Sequence, residues 1–299
     1  MSERPRRVRI IVNPISGLGW MQRRAEKLRR RLVEAGCDAE LCATERAGHG
    51  GDLAREAADL GFDVVVAAGG DGTINDVIQG LALTETALGI LPMGTANVLA
   101  TELNLGDFVW QAVRLVLRGA RRRLDLGRCG DRYFVCFASV GYDAFVVQCM
   151  AEWRKGTITH LSYFGPMWKA FVEYPFAPLR VKVDGKELDR PVYHFVMGNT
   201  RSYGGSFQIT TRAHPDDGLL DACAFGGDGH GWLFIYLACI VCRMHQWFGN
   251  VRMLRGKRFE IDGPRPLPFQ FDGDFRGFTP VTFEVVPKAI TVLVPQVRR

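Results

Sequence analysis

Four short β-type runs, RVRIIVN (residues 7–13), Ala39–Ala43, Asp63–Ala68 and Ala87–Leu91, alternate with stretches whose apolar residues step by three and four. Met21, Ala25, Leu28, Leu32 and Ala35 form the first such stripe, which Gly36 ends; further helices are expected near Asp52–Leu60, after Thr73, at about Ala96–Leu103 and at Phe108–Arg118. Parallel strands cannot be joined by a tight turn and need a crossover helix. Strict alternation of strand and helix therefore implies a parallel sheet covered on both faces, whose ligands sit at the strand carboxyl ends.

After Gly119 the texture changes. RLDLGRC, RYFVCFASV, LRVKVDGKELD, PVYHFVMGN, GLLDACAF, RFEIDG, LPFQFDGDF, VTFEVVP and ITVLVP are short strand-like segments divided by Gly, Pro and Asp turns, with Asp184-Gly185 a hairpin candidate. Helical pieces are expected near 143–175 and 231–247. The fold class expected is α/β: a parallel-sheet nucleotide-binding domain over residues 1–124, then a mostly antiparallel β-sandwich domain over 125–299. The C-terminal strand is free to return to the first domain, and the absence of a flexible linker suggests that the two domains form one rigid cleft.

The remaining composition narrows the function classes. Of 299 residues, 38 are Lys or Arg and 32 Asp or Glu, giving a net charge of +6 that suits an anionic partner: nucleotide, nucleic acid or an acidic membrane surface. The run Arg23, Arg24, Lys27, Arg29, Arg30, Arg31 reads as a solvated helix face, as does Arg118 with Arg121–Arg123, and no nucleic-acid motif accompanies them. The N-terminus enters a short strand without an apolar leader region, so a cytoplasmic protein with reduced cysteines is expected. Cys239, Cys242 and His245 lack a second ligand pair and read as core residues rather than a metal site. Trp232–Cys242 is too short to span a bilayer and reads as a core helix, whereas Phe164, Trp168 and Phe171, at helical spacing around Lys169, are the better candidates for touching lipid, although core packing is favoured there too.

The chemistry centres on AAGGDGTINDV (67–77). VVVAAGG reads as a strand and GGDGT as the loop into a helix beginning near Ile74. Gly69, Gly70 and Gly72 lack a Cβ, so the backbone can turn with positive φ and bring its N–H groups close to phosphate oxygens. Asp71 would repel a phosphate unless a divalent cation, Mg²⁺ by preference, stood between them; the plainer alternative makes Asp71 a helix cap. LPMGTANVLATEL (91–103) repeats the strand–turn–helix layout and offers Gly94, Thr95 and Asn97 beside the first loop. A second GGDG, at 226–229, follows an antiparallel strand and reads as a turn. There is no Walker or protein-kinase motif.

VNPISGLG, the threonine of CATERAG, AAGGDGTINDVIQGL, LPMGTANVLATEL, ASVGYDA, PDDGLLD and FDGDF together resemble the diacylglycerol kinase catalytic-domain family, soluble lipid kinases related to sphingosine and ceramide kinases, over nearly the whole chain. The resemblance implies an α/β nucleotide domain and a β-sandwich domain with the active site between them. It implies ATP contacts at Asn13, Thr44, Gly69, Gly70, Asp71, Gly72, Thr73, Ile74, Asn75, Asp76, Gly94, Thr95 and Asn97, with Mg²⁺ as cofactor. Asp274 would be the catalytic base, with Asp272 its neighbour on the same face of an extended segment and Asp71 the third acid; a structural Mg²⁺ would sit on Asp217 and the carbonyls of His214 and Leu219. The family's Asp-Gly-Glu is Asp272-Gly273-Asp274 here, and its Asn-Asp-Phe is Asn97-Val98-Leu99. The implied function is ATP-dependent phosphorylation of a membrane lipid, diacylglycerol first, by a cytoplasmic enzyme bound peripherally to anionic membrane, with no nucleic-acid partner and a homodimer possible in principle. Rivals are a sphingoid or phosphatidylglycerol-type lipid or NAD as acceptor, and a catalytically silent nucleotide- or lipid-binding protein.

Overall fold

The computed structural model describes residues 5–14, 19–153, 164–204 and 207–296. Within the expected turn PISGLG, residues 15–18 lie outside the described residues, as do residues 154–163 of the expected helical stretch and the Phe164 side chain. The chain divides into two compact units, residues 1–126 with 286–299 and residues 127–285.

The first unit runs β1 (Arg7–Val12), α1 (Trp20–Glu34), β2 (Asp38–Ala43), α2 (His49–Asp59), β3 (Val64–Gly69), α3 (Asp71–Leu81), β4 (Ala87–Pro92), α4 (Val98–Glu102) and α5 (Val109–Arg118). Strand β5 (Ala120–Cys129) leaves it. The sheet order is β2-β1-β3-β4, all parallel, in register Arg7↔Asp38, Val8↔Val64 and Val64↔Ala87. Strands β3 and β4 are buried along their whole length, as a sheet covered on both faces requires. Met21, Ala25, Leu28 and Leu32 of α1 pack on Val8, Ile10, Val64 and Val66, as the stripe predicts, whereas its fifth member, Ala35, is the exposed C-cap. Helices α2 and α3 each begin three residues earlier than the periodicity suggests. At α2 the reason is Gly48, whose φ of 79° sets a left-handed cap; α3 starts directly from extended Gly70.

The second unit comprises β6 (Arg132–Phe134), β7 (Phe137–Val140), α6 (Tyr142–Trp153), α7 (Phe164–Glu173), β8 (Arg180–Val183), β9 (Lys186–Glu187), β10 (His194–Gly198), β11 (Ser202–Tyr203), β12 (Phe207–Gln208), β13 (Leu220–Phe225), α8 (Gly229–Val241), β14 (Val251–Gly256), β15 (Arg258–Asp262), β16 (Pro268–Phe271) and β17 (Asp274–Phe278). The last strand, β18 (Val281–Val294), pairs through residues 281–284 with β15 and, beyond the unit boundary, joins β4 in parallel at Val292↔Leu88. One antiparallel sheet has the order β14-β13-β10-β7-β16-β17, and residues 281–284 of β18 with β15, β8 and β9 form the facing antiparallel layer. Phe195, Met197, Ala222 and Phe271 from the first meet Val181, Phe259, Ile261 and Phe283 from the second in one buried core, which makes the unit a sandwich. The predicted hairpin is present: Asp184 (φ 49°) and Gly185 (φ 80°) join β8 to β9 with the two successive positive φ values of a type I′ turn.

One expectation is overturned. The apolar run Trp232–Cys242 is not a core helix: α8 buries only Leu233 and Tyr236. It meets the rest of the unit along one line, Leu233 and Tyr236 with Ile240 partly buried beside them, and leaves Phe234, Ile235, Leu237 and Val241 exposed.

Candidate active site

The glycines of the first loop work differently from the expected positive-φ turn. None of Gly69, Gly70 and Gly72 has positive φ, and Gly70 is extended (φ −88°, ψ −172°). What they provide is closeness. A Cβ on Gly69 would lie 2.4 Å from Thr73 Oγ1, so β3 could not meet α3. A Cβ on Gly94 would lie 2.6 Å from Gly70 Cα and 2.9 Å from Asn97 Oδ1, so the two loops touch backbone to backbone. Gly72 has open space where its Cβ would be. That opening stands at the N-terminus of α3, where first-turn N–H groups have no intrahelical acceptor and the helix dipole favours an anion.

The second loop is held by its own asparagine. Asn97, left-handed at φ 46°, accepts from Gly94 N (2.9 Å) and donates through Nδ2 to Gly94 O (2.8 Å), closing the Gly-Thr-Ala-Asn turn. Asp71 fastens this turn to the first loop: its Oδ1 accepts from Val98 N at 2.7 Å. The carboxylate therefore caps α4, across 27 residues, rather than the helix it begins. Burial raises its pKa, offset only in part by the Val98, Asn97 and Asp71 amides, with no arginine or lysine contributing.

Two adjoining cavities open on these loops. One of about 210 Å³ is lined by Asn13, Thr44, Arg46, Ala47, Gly50, Gly72, Thr73 and Asp76. Another of about 560 Å³ shares Asn13, Gly72 and Thr73 and adds Gly70, Met93, Gly94, Thr95, Asn97, Trp20, Arg24 and Asp107. The expected contacts Asn13, Thr44, Gly70, Gly72, Thr73, Asp76, Gly94, Thr95 and Asn97 thus lie on cavity walls. Gly69, Asp71, Ile74 and Asn75 do not. Ile74 is a core residue whose N–H bonds Gly70 O, and buried Asn75 accepts through Oδ1 from Gln79. Asp76 is fixed by the Gly48 N–H (3.1 Å to Oδ2).

Sequence reasoning missed Trp20, Arg24 and Arg46 on these walls. Arg24 belongs to the arginine run taken as a solvated face; it instead donates to Asp107 O and lies 5.5 Å over the Trp20 ring. Its neighbours do follow the expectation, Arg29 and Arg30 both pairing with Glu26.

In the second unit, Asp272-Gly273-Asp274 is not an extended segment, so the premise that placed both carboxylates on one face fails. Asp272 (φ 49°) and Gly273 (φ 84°) form a type I′ turn between β16 and β17. Asp272 is committed to scaffold: Oδ2 accepts from Val135 N (2.8 Å), and Oδ1 from Cys136 N (2.9 Å) and Phe137 N (3.0 Å). Asp274 opens β17, half-exposed, with Arg276 Nη2 at 2.8 Å from Oδ2. Arg276 in turn lies 4.9 Å over Phe271.

Behind this turn is a polar cluster that the motif reading did not assign. Gln270 accepts from Gly273 N through Oε1 (3.0 Å) and donates through Nε2 to Ser139 Oγ and Asp143 Oδ2, both at 2.8 Å. Ser139 Oγ also bonds Asp143. Burial, then the Asp143 carboxylate, drives the Tyr203 phenol far up, keeping it a donor. The signal was present in ASVGYDA, where Ser139 and Asp143 stand four residues apart across a strand–helix junction.

At the second cation site, expected on Asp217 with the carbonyls of His214 and Leu219, the carboxylate is already engaged. Its Oδ1 accepts from Leu219 N (3.1 Å) and its Oδ2 pairs with Arg255, which also binds Asp221. His214 is turned to Arg212 O, at 2.8 Å from Nδ1. The Arg255 guanidinium thus occupies the one carboxylate that site would use.

The family profile for the diacylglycerol kinase catalytic domain matches residues 7–129, and that for the YegS C-terminal NAD kinase beta sandwich-like domain matches residues 136–294. The chain belongs to the diacylglycerol kinase catalytic-domain family. It is 26% identical over 292 residues to a diacylglycerol kinase of Staphylococcus saprophyticus, covering 97% of this chain and 96% of that one, and 27% identical to a diacylglycerol kinase of Staphylococcus aureus, covering 97% and 93%. Two crystal structures from Bacillus anthracis superpose with TM-scores of 0.79 (20% identity, 98% and 97% coverage) and 0.73 (18%, 97% and 96%), the latter described as a diacylglycerol kinase. Against the family pattern, the departure at Val98 gains a structural meaning: the position lacks a carboxylate side chain but its amide anchors Asp71.

Proposed function

We propose that this kinase-family chain uses ATP and Mg²⁺ to phosphorylate the hydroxyl of a membrane lipid, diacylglycerol being the first candidate. The observation that carries the reading is the pair of glycine loops in backbone contact at the carboxyl ends of β3 and β4, opening beside Gly72 onto walls bearing Arg24 and Arg46. Phosphoryl transfer asks a protein chiefly for positioning and charge stabilisation. The first-turn amides of α3 would receive phosphate oxygens, and Thr44 and Thr73 would add hydroxyl donors.

A divalent cation fits Asp71. The group is a half-buried carboxylate whose pKa is raised by desolvation and to which no arginine or lysine contributes, and hard oxygen donors suit Mg²⁺. When bound, Mg²⁺ would supply positive charge to the transferring phosphoryl group. Because Asp71 lies on neither cavity wall, it would act across that ion rather than on phosphate directly. Asp274 would accept the proton of the lipid hydroxyl once its oxygen is released from Arg276.

Incubation with labelled ATP and a panel of diacylglycerol, sphingoid base, phosphatidylglycerol and NAD tests this, with products read by mass spectrometry. Phosphatidic acid as the dominant product supports the reading; transfer to NAD alone overturns it. One observation favours a second reading, a nucleotide binder that transfers nothing: Asp274, shorter than the family's glutamate, is already paired with Arg276. ATP binding without turnover, and turnover gained by Asp274→Glu, would support that alternative.

A further inference from the structure

Helix α8 carries apolar side chains on nearly every face yet contributes only two of them to the core. Phe234, Ile235, Leu237 and Val241 stand exposed along it, Trp232 begins the series and Met244 and Trp247 end it; Phe234, Val241 and Trp247 are 67%, 64% and 72% exposed. A soluble monomer does not ordinarily leave such a contiguous patch to water. The patch extends on two sides. Exposed Phe207 belongs to β12, against which α8 packs. On the other side His230, at the start of α8, touches Phe171 at 5.0 Å, and Phe171 stacks on Trp168, itself 62% exposed on α7.

The charge pattern selects the occupant. No carboxylate occurs from residue 229 to 250, whereas Arg243 stands exposed just past the helix end, its side chain without a hydrogen bond or ion pair among the described residues. At about 1.5 Å per residue the 13-residue helix is roughly 20 Å long, too short to cross a hydrocarbon core of about 30 Å. No helix among the described residues is long and apolar enough to cross a membrane. An apolar helix of this length, exposed on most of its surface, with tryptophans near both ends and an arginine at its edge, suits an element resting at the lipid interface, where tryptophan is enriched.

We propose that α8, with Trp247 beyond it and Trp168 beside it, docks flat on an anionic bilayer surface, apolar side chains among the acyl chains and Arg243 at phosphate level. In its choice of occupant this rests on the lipid-acceptor reading above; a second copy of the chain is the rival. The α7 segment, the better lipid candidate in the sequence although core packing is favoured for it, becomes the flank of the surface, and α8 its centre.

The full chain is sedimented with vesicles of phosphatidylcholine containing about 30% phosphatidylglycerol, without ATP. Phe234→Gln, Val241→Gln and Trp247→Gln combined should weaken vesicle binding by at least about tenfold while circular dichroism and melting temperature stay unchanged. Arg243→Glu should cost about fivefold or more on anionic vesicles and little on pure phosphatidylcholine. If the triple variant misfolds, Phe234→Gln alone carries the test, with an expected loss of about threefold. Vesicle binding indifferent to these changes overturns the proposal, as does a wild-type dimer that the triple variant dissociates without losing vesicle binding. Failure of the two readings is separable: vesicle binding through α8 without any lipid phosphorylation sinks the kinase reading alone, and phosphorylation of vesicle lipid unaffected by α8 sinks the docking alone.

Discussion

Asp71 offers the sharpest perturbation, because its two proposed duties can be separated by one atom. As a clamp it needs only an acceptor oxygen for Val98 N; as a cation ligand it needs the negative charge. Asp71→Asn keeps the acceptor and removes the charge, and Asp71→Ala removes both. The alanine variant leaves a buried amide without an acceptor, worth about 1–3 kcal/mol, and should lower the melting temperature by roughly 2–10 °C. The asparagine variant should be as stable as the parent at neutral pH, or more so. Folding raises the pKa of Asp71, so the ionised form is penalised in the folded state: the penalty is absent below the unfolded value of 3.8 and grows as pH rises through the raised value. The stability advantage of Asp71→Asn over the parent should therefore widen as the pH rises above 3.8 and through the raised value, measurable by thermal melts. A charge retained at a cost to stability, where a neutral amide would cap equally well, points to function. Transfer by Asp71→Asn should fall by about 10²-fold or more with the fold intact. Full activity in that variant would refute the cation assignment and leave Asp71 a clamp.

Gly72→Ala and Gly94→Ala should diverge: the first meets no atom within 4 Å and should keep its melting temperature while weakening ATP binding by at least about tenfold, read by calorimetry, because the methyl enters space the phosphates need. The second forces Gly70 and Gly94 apart and should cost about 1–3 kcal/mol as well, in denaturant unfolding. Asp272→Ala strands three amides and should destabilise the sandwich by about 2–5 kcal/mol, read as a fall in its unfolding midpoint. Asp143→Asn reverses one polarity in the Ser139–Gln270–Tyr203 cluster that supports Gly273; it should lower kcat by about tenfold with KM for ATP unchanged, and Tyr203→Phe should do so less.

The alternation of strands and helices made the first unit legible because both of its periods are local. Met21 to Leu32 declare a buried face by spacing alone, and Val64–Ala68 declare a doubly covered strand by having no polar face at all. The Asp184-Gly185 hairpin was legible for the same reason: its requirement for positive φ is met by the residues themselves. Helix α8 was not. An apolar run with no preferred face carries no periodic signal, so burial and exposure look identical in the sequence, and only the narrow contact through Leu233 and Tyr236 distinguishes them. Arg24 was hidden in the opposite way, one cation among six whose role depends on Trp20 and Asp107 rather than on its own run.

The two acidic motifs show where such reading stops in the candidate site. Glycine beside aspartate marks a tight loop with a charge in it, and both GGDG and DGD contain one. Neither motif reveals that the first oxygen of Asp71 is held by an amide 27 residues away, or those of Asp272 by amides 135 to 137 residues away. The difference in their reactivity follows from those distant donors. Asp272 has three N–H groups directed at its two oxygens, so turning it toward a substrate would strand the amides of Val135, Cys136 and Phe137. Asp71 has a pKa pushed up by desolvation that its amide donors offset only in part, so a cation approaching it relieves a cost. Asp274 has neither burden, being half-exposed and paired only with a single arginine that can swing away. The order in which the three should respond to neutralisation follows: Asp272→Asn chiefly in stability, Asp71→Asn chiefly in transfer, and Asp274→Asn in transfer with ATP affinity preserved.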